Sequence, residues 1–100
     1  MGRRLRLTTW YARRARDTVQ PGTPTGIALG RVVRNLLRTE VLPGSQDFEA
    51  RRRPTGRAWV RRVPGHNLWL WYRFDETEVF LLALTADPPV PTDTPEGPDQ

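Results

Sequence analysis

Leu68-Trp69-Leu70-Trp71-Tyr72-Arg73-Phe74 is a run in which every residue but one is apolar or aromatic. Such residues are typical of a strand that packs on both faces. Pro64-Gly65 precedes the run and Asp75-Glu76 follows it, so turn residues bound it on both sides. Strand-like runs flank these turns at residues 58–63 and 78–85. The pattern predicts a three-stranded antiparallel meander.

The central strand has two unlike faces because side chains alternate along a strand. One face carries Leu68, Leu70, Tyr72 and Phe74, and the other carries Trp69, Trp71 and Arg73. The first face is predicted to pack against a helix. Two interpretations of the tryptophans stay open: they are buried beneath a basic loop or a dimer contact, or they form a platform for bases or a partner segment.

An amphipathic helix is predicted over residues 25–39 to cover this sheet. Its apolar stripe has helical spacing and consists of Leu29, Val32, Val33, Leu36 and Leu37. A row of arginines on another face consists of Arg31, Arg34 and Arg38. The row is either a solvated face or a track for phosphates, and the spacing alone does not decide between them.

The segments around this helix complete the architecture. Residues 3–8 alternate arginine and leucine, which predicts an edge strand with Leu5 and Leu7 toward the core, or else a disordered basic arm. A short helix capped by Thr8 or Thr9 is predicted to follow, anchored by Trp10. Residues 47–56 are predicted to be a basic loop. The fold class is α+β, with two N-terminal helices packed on a small antiparallel sheet.

The composition excludes several classes of protein. The chain has no cysteine and one histidine, so a disulfide framework, a thiolate metal site and a histidine-rich metal site are impossible. No apolar run approaches the roughly 20 residues of a membrane span, and no secretory signal is recognisable, which predicts a cytoplasmic protein without a membrane partner. We expect a single domain over residues 1–90 and a disordered, acidic, proline-rich tail over residues 91–100.

The charge is unevenly distributed. All sixteen basic residues are arginines and lie in residues 1–73 against four acidic residues, whereas residues 74–100 contain seven acidic residues and no basic one. A basic body predicts a polyanionic or acidic partner, because arginine binds phosphate bidentately and stacks on bases. The alternative is a soluble domain whose acidic end offsets its own charge.

Candidate site residues lie in the loop and in the meander. Predicted nucleic-acid contacts are Arg51, Arg52, Arg53, Arg57, Trp69 and Trp71. Arg61 and Arg62 supply fixed positive charge for a phosphate in cleavage, but a guanidinium does not act as a base. His66, in the turn, is the best proton acceptor because imidazole titrates near neutral pH, and Tyr72 and Glu49 are weaker candidates. A lone turn histidine is also often an ordinary exposed side chain.

The order of these elements resembles the RelE/ParE superfamily of bacterial type II toxins over residues 3–90. The likeness rests on Arg57-Ala58-Trp59-Val60-Arg61-Arg62-Val63, on the Pro64-Gly65-His66-Asn67 turn that leads into the central strand, and on the acidic turn and aliphatic strand after it. The resemblance implies a small basic toxin without a cofactor or metal, neutralised by an acidic antitoxin. RelE-like members cleave mRNA on the ribosome, and ParE-like members inhibit DNA gyrase.

The resemblance also implies positions for the active site. Arg61 or Arg62 matches the basic residue that the ribonucleases use on this strand, and Tyr72 matches a tyrosine that lies mainly in the core. The family's basic residue, or its histidine and tyrosine, after the last strand has no counterpart, since Arg, Lys, His and Tyr are absent after Phe74. Either His66, Arg73 and the basic loop replace that residue, or the protein is not a ribonuclease.

The sequence therefore predicts a toxin that inhibits translation as a metal-independent endoribonuclease, with Arg61, Arg62, His66 and Arg73 as its catalytic residues. One alternative is a gyrase inhibitor without nuclease activity. A second is a non-enzymatic module that binds nucleic acid or acts as an adaptor through Trp69, Trp71 and the arginines.

Overall fold

A computed structural model describes residues 2–39, 41–52, 56–86 and 88–89. The elements are, in chain order, β1 (Arg4–Leu7), α1 (Thr9–Thr18), α2 (Pro24–Arg38), β2 (Phe48–Arg52), β3 (Gly56–Arg62), β4 (Trp69–Phe74) and β5 (Glu78–Thr85). The fold is α+β with both helices ahead of the meander, as predicted. The predicted tail at residues 91–100 lies outside the described residues.

The five strands form one sheet in the order β1-β5-β4-β3-β2. The hairpin pairs β2–β3, β3–β4 and β4–β5 are antiparallel, whereas β1 pairs with β5 in parallel, with Arg4 opposite Glu78. The sheet is therefore mixed, and β1 and β2 are its two edges. The prediction of an edge strand near residues 3–8 is confirmed.

β2 lies in the segment for which the sequence predicts a loop, and that prediction is wrong at residues 48–52. Phe48 pairs with Val60 and Ala50 pairs with Ala58, and Ala50 is fully buried. Phe48 and Ala50 are a short alternation of apolar residues, and the arginines that follow them mask it in the sequence. The pairing with β3 supplies the backbone hydrogen bonds that the segment would otherwise lack.

Threonine side chains begin both helices. Thr8 Oγ1 accepts a hydrogen bond from the Tyr11 backbone N–H at 3.0 Å and donates to the Leu82 carbonyl at 3.0 Å, so the cap also fixes α1 to β5. Thr23 caps α2 in the same way. Trp10 does not anchor α1, since it is 56% exposed; its neighbour Tyr11 is buried instead. The orientation of α1 on the sheet turns Tyr11 toward the core and Trp10 toward solvent. The helical spacing alone does not distinguish between these two neighbours.

The main core lies between the helices and one face of the sheet. α2 contributes Leu29, Val32 and Leu36, with Val33 and Leu37 partly buried, so the predicted stripe is confirmed. The sheet contributes Leu68, Leu70, Tyr72, Val79, Leu81 and Leu84. Leu5 and Leu7 lie on the same face but beyond the helices at the sheet edge, and they stay 40% and 50% exposed. Within the described residues, neither helix is long and apolar enough to cross a membrane.

A buried polar network, defined here as the Asp47 network, links the loop before β2 to the sheet and to α2. Arg61 donates to both carboxylate oxygens of Asp47, from Nε at 2.6 Å and from Nη2 at 2.8 Å. Its Nη1 donates to Asn35 Oδ1 at 2.8 Å. The Tyr72 hydroxyl and the Gly44 backbone N–H also donate to Asp47 Oδ2. The side chains of Arg61 and Asp47 are 3% and 0% exposed, so the ion pair is fully enclosed.

The hydrogen bonds of the Asp47 network favour a charged Arg61 and a neutral Tyr72 in the folded protein. Burial would lower the pKa of the Arg61 guanidinium, but the hydrogen bonds and charge of Asp47 outweigh it and raise that pKa. Burial, with the hydrogen bond to Asp47, raises the pKa of the Tyr72 hydroxyl well above its usual range. Arginine therefore stays charged and tyrosine stays a donor across the physiological range.

Arg61→Leu is expected to destabilise the protein by about 3–5 kcal/mol, because it leaves the Asp47 carboxylate buried and without its counter-ion. Urea unfolding measures the change. Arg34→Ala, an exposed arginine on α2, is the control and should change the free energy of unfolding by less than about 0.5 kcal/mol. Equal stability of the two variants would contradict a structural role for Arg61.

Both tyrosines of the chain are buried, so the protein should resist tyrosine ionisation. Burial raises the pKa of Tyr11 to about 12, and that of Tyr72 is raised further. Unfolded tyrosine titrates near about pH 10. The tyrosinate absorbance of the native protein should therefore stay low at pH 10, whereas in denaturant it should be half-developed. Stability should be intact below pH 10 and fall above it, and a native titration midpoint near 10 would refute the burial.

Candidate functional site

The helices pack on one face of the sheet, and the opposite face, the outer face, has an apolar centre with arginines around it. Its apolar cluster consists of Ala50, Ala58, Val60, Trp69, Trp71 and Ala83, with Phe48 and Leu82 packed against it. Strand register places Arg6, Arg62 and Arg73 on this face, and all three are exposed. Arg6 is paired with Glu78 at 3.0 Å. The outer face is thus the exposed basic surface of the sheet.

The tryptophans of the outer face are buried. Trp69 is 8% exposed and Trp71 is 2% exposed, and Trp71 Nε1 donates to Thr85 Oγ1 at 3.0 Å. The alanines at positions 50, 58 and 83 leave room for the two indoles. These rings therefore act as core, and their faces are not available as a stacking platform. Of the two interpretations of the tryptophans, burial is the one that the structure supports.

The β3–β4 turn places the Arg62 side chain against the backbone of His66. Arg62 Nε donates to the His66 carbonyl at 3.1 Å, and its guanidinium carbon lies 5.6 Å from the centre of the Trp69 ring. His66 Nδ1 lies 3.0 Å from Thr25 Oγ1 at the start of α2. We define Thr25, Arg62, His66 and Trp69 as the turn site. It holds an exposed cation and a half-buried imidazole whose ring is oriented by α2.

The tautomer of His66 decides what the turn site does chemically. If Nδ1 carries the proton, it donates to Thr25 Oγ1, and Nε2 is then an acceptor. No hydrogen bond to Nε2 occurs within the described residues. An acceptor nitrogen and a guanidinium in the same turn supply the two groups that a base-assisted attack on a phosphate needs.

The other predicted catalytic residues lie elsewhere. Arg73 is at the far end of β4, four residues along the strand from Trp69, or about 13 Å away at the usual rise per residue. Its Nε and Nη2 donate to the Arg57 carbonyl at 3.0 and 2.7 Å. Arg61 points to the helix side and is enclosed in the Asp47 network. The structure therefore brings Arg62 and His66 together and separates Arg61 and Arg73 from them.

The predicted nucleic-acid contacts are also dispersed. Arg51 and Arg57 are paired across β2 and β3 and are exposed, on the helix side of the sheet rather than on the outer face. Arg57 lies 3.7 Å from Glu49, which partly neutralises it. The side chain of Arg52 and the whole of Arg53 lie outside the described residues.

The sequence analysis missed two residues that the structure adds to these surfaces. Arg6 reaches the outer face because β1 pairs in parallel with β5, and no local pattern indicates that pairing. The sequence pattern predicts Thr25 only as the start of a helix, whereas its hydroxyl contacts the histidine 41 positions later. A polar residue in the first turn of a helix gives no signal for such a partner.

The described part of the chain contains no group of three His, Cys, Asp or Glu side chains that could hold a metal ion. Comparison with known proteins gives no match: no family model, no curated protein and no solved structure is significantly similar to this chain. The candidate site is therefore argued from its own geometry.

Trp10 should supply most of the fluorescence that a soluble quencher can reach, because Trp69 and Trp71 are buried and Trp59 is only half-exposed. We expect Trp10→Phe to reduce the acrylamide quenching constant by more than half. Trp69→Phe is the matched comparison and should leave the constant nearly unchanged. Strong quenching that persists in Trp10→Phe and disappears in Trp69→Phe would show that the outer face is open down to its indoles.

Proposed function

We propose that this protein is a toxin of the RelE/ParE kind that stops translation by cleaving mRNA on the ribosome at the turn site. The observation that carries the proposal is the position of Arg62 and His66 in one turn at the margin of a basic sheet face, where Arg62 Nε donates to the His66 backbone carbonyl at 3.1 Å. The succession of one strand, two helices and an antiparallel meander supports it as well.

The proposed reaction needs no metal. The 2′-hydroxyl oxygen of one nucleotide attacks the adjacent phosphorus, and the bond to the 5′ oxygen of the next nucleotide breaks. His66 Nε2 accepts the 2′-hydroxyl proton, and the leaving 5′ oxygen takes a proton from water. Arg62 stabilises the charge on the non-bridging oxygens, since a preoriented guanidinium requires no proton transfer to do so. The products are a 2′,3′-cyclic phosphate and a 5′-hydroxyl.

The charge of the surface supports the proposed partners. Arg62 lies opposite Trp69 in the strand register and Arg73 lies four residues further along β4, so the two arginines project from one face at separate points. A negatively charged polypeptide, the proposed antitoxin, would bind the same arginines and block that path by charge complementarity. Trp69 contributes by supporting the Arg62 guanidinium from beneath.

A gyrase-directed toxin without nuclease activity is the second candidate, and one observation favours it. Arg61, one of the two arginines that the resemblance matches to the basic residue of the ribonucleases, is enclosed in the Asp47 network on the helix side of the sheet, away from the turn site. In this alternative the exposed arginines bind a protein surface, and His66 has no chemical role.

Pulse labelling of protein and DNA synthesis after induction in bacteria separates the candidates. We expect protein synthesis to fall first, and we expect His66→Gln and Arg62→Ala each to reduce the cleavage rate by at least about 100-fold, because each removes one group of a base-assisted mechanism. Arg38→Ala, an exposed arginine in the last turn of α2, is the control and should keep full activity.

Other outcomes would redirect the assignment. An early fall in DNA synthesis, unaffected by His66→Gln, would contradict the nuclease and support the gyrase candidate. Normal growth with the folded protein present would contradict a toxin altogether and leave a binding module. Arg61 variants are excluded from this test because their expected loss of stability would lower activity for a reason unrelated to cleavage.

A further inference from the structure

A cavity of about 340 Å³ lies between α2 and β3, away from the centre of the outer face, and shares only Arg62 with the turn site. Its polar lining consists of Arg31, Asn35, Gln46, Arg61 and Arg62. Ala28 and Val32 of α2 supply part of the apolar wall. The hydrogen bond between Thr25 and His66 holds the β3–β4 turn against α2 near this wall. The cavity therefore lies between elements that other contacts fix in place.

The buried guanidinium of Arg61 lines this cavity with donors to spare. A guanidinium has five N–H groups. Arg61 uses three of them, toward Asp47 and Asn35, and no other partner for it occurs among the described residues. The side chain is only 3% exposed, so the two remaining N–H groups are largely shielded from bulk water. Leaving buried donors unsatisfied is costly, and an acceptor in the cavity would satisfy them.

The remaining lining is also rich in donors. Arg31 is exposed and has no hydrogen bond or ion pair within the described part of the chain. Asn35 Oδ1 already accepts from Arg61 Nη1 and from Thr39 Oγ1, which leaves its amide N–H groups for the cavity. Among the described residues no carboxylate lines the cavity, and both oxygens of the nearby Asp47 are occupied by Arg61, Tyr72 and Gly44.

We propose that this cavity binds a phosphate dianion, either as inorganic phosphate or as the terminal phosphate of a mononucleotide. Arg31 and Arg61, which both have N–H groups to spare, line it, and planar guanidiniums bind phosphate oxygens in pairs. The volume suits a small ligand, and the apolar wall beside Ala28 would hold a sugar. This site goes beyond the proposed toxin function and does not require it, since it needs neither RNA cleavage nor the imidazole of His66.

Isothermal titration of the full-length protein at low salt, with inorganic phosphate in one arm and adenosine 5′-monophosphate in the other, tests the proposal. We expect saturable binding of one equivalent in at least one arm. Arg31→Ala should weaken that binding by at least about tenfold, because it removes a charge-assisted contact. Arg34→Ala removes an arginine from the same helix that does not line the cavity, and should leave the affinity within twofold.

The two arms distinguish the sources of the phosphate. Equal affinities would assign the site to free phosphate, and tighter binding of the nucleotide by tenfold or more would assign it to a mononucleotide.

Ala28→Phe, which fills the cavity from α2, should abolish binding while circular dichroism stays native. Absence of binding in both arms, or an equal loss in Arg31→Ala and Arg34→Ala, would overturn the proposal. Loss of toxicity in His66→Gln with phosphate binding intact would keep the two proposals separate.

Discussion

The carboxylate of Asp47 is the point on which three parts of this fold converge. It accepts hydrogen bonds from Arg61 on β3, from Tyr72 on β4 and from the backbone of the loop at Gly44, while Arg61 also contacts Asn35 on α2. Enclosing two charges is costly unless each is fully hydrogen-bonded, and this network meets that condition for the carboxylate. The loop before β2 therefore has one permitted position, and β2 and β3 are aligned by it.

Local periodicity was sufficient to predict the helices and the meander. The apolar stripe of α2 and the alternation in β4 each predict which side of one element packs in the core between the helices and the sheet. The structure confirms both predictions. Pairings between distant segments could not be predicted in this way. The parallel register of β1 with β5 and the contact of Thr25 with His66 depend on the assembled fold. β2 was not predicted because two apolar residues, Phe48 and Ala50, are a weak signal beside consecutive arginines.

The candidate site also combines features that local periodicity predicts with features that depend on distant partners. Arg61 and Arg62 are adjacent in sequence and identical in type, yet strand alternation sends one into the core and the other to the surface. Arg61 is stabilised in the core by its ion pair with Asp47, fourteen positions earlier in the chain. A count of charges does not reveal this pairing. Arg3 illustrates a third role, because it stacks on Phe74 and donates to the carbonyls of Thr39 and Asp75, joining three segments. Arginine content alone thus overstates the surface available to a polyanion.

The parallel pairing of the first and last strands also constrains when the protein becomes folded. Arg6 and Glu78 lie 72 positions apart, so β1 has no strand to pair with until nearly all of the described chain has been synthesised. Contacts this distant in sequence slow the folding of small domains, because a long loop must close before they form. A nascent chain would therefore carry no complete sheet before β5 has been synthesised. The basic outer face, to which β1 contributes Arg6, would be assembled only after β5 is released.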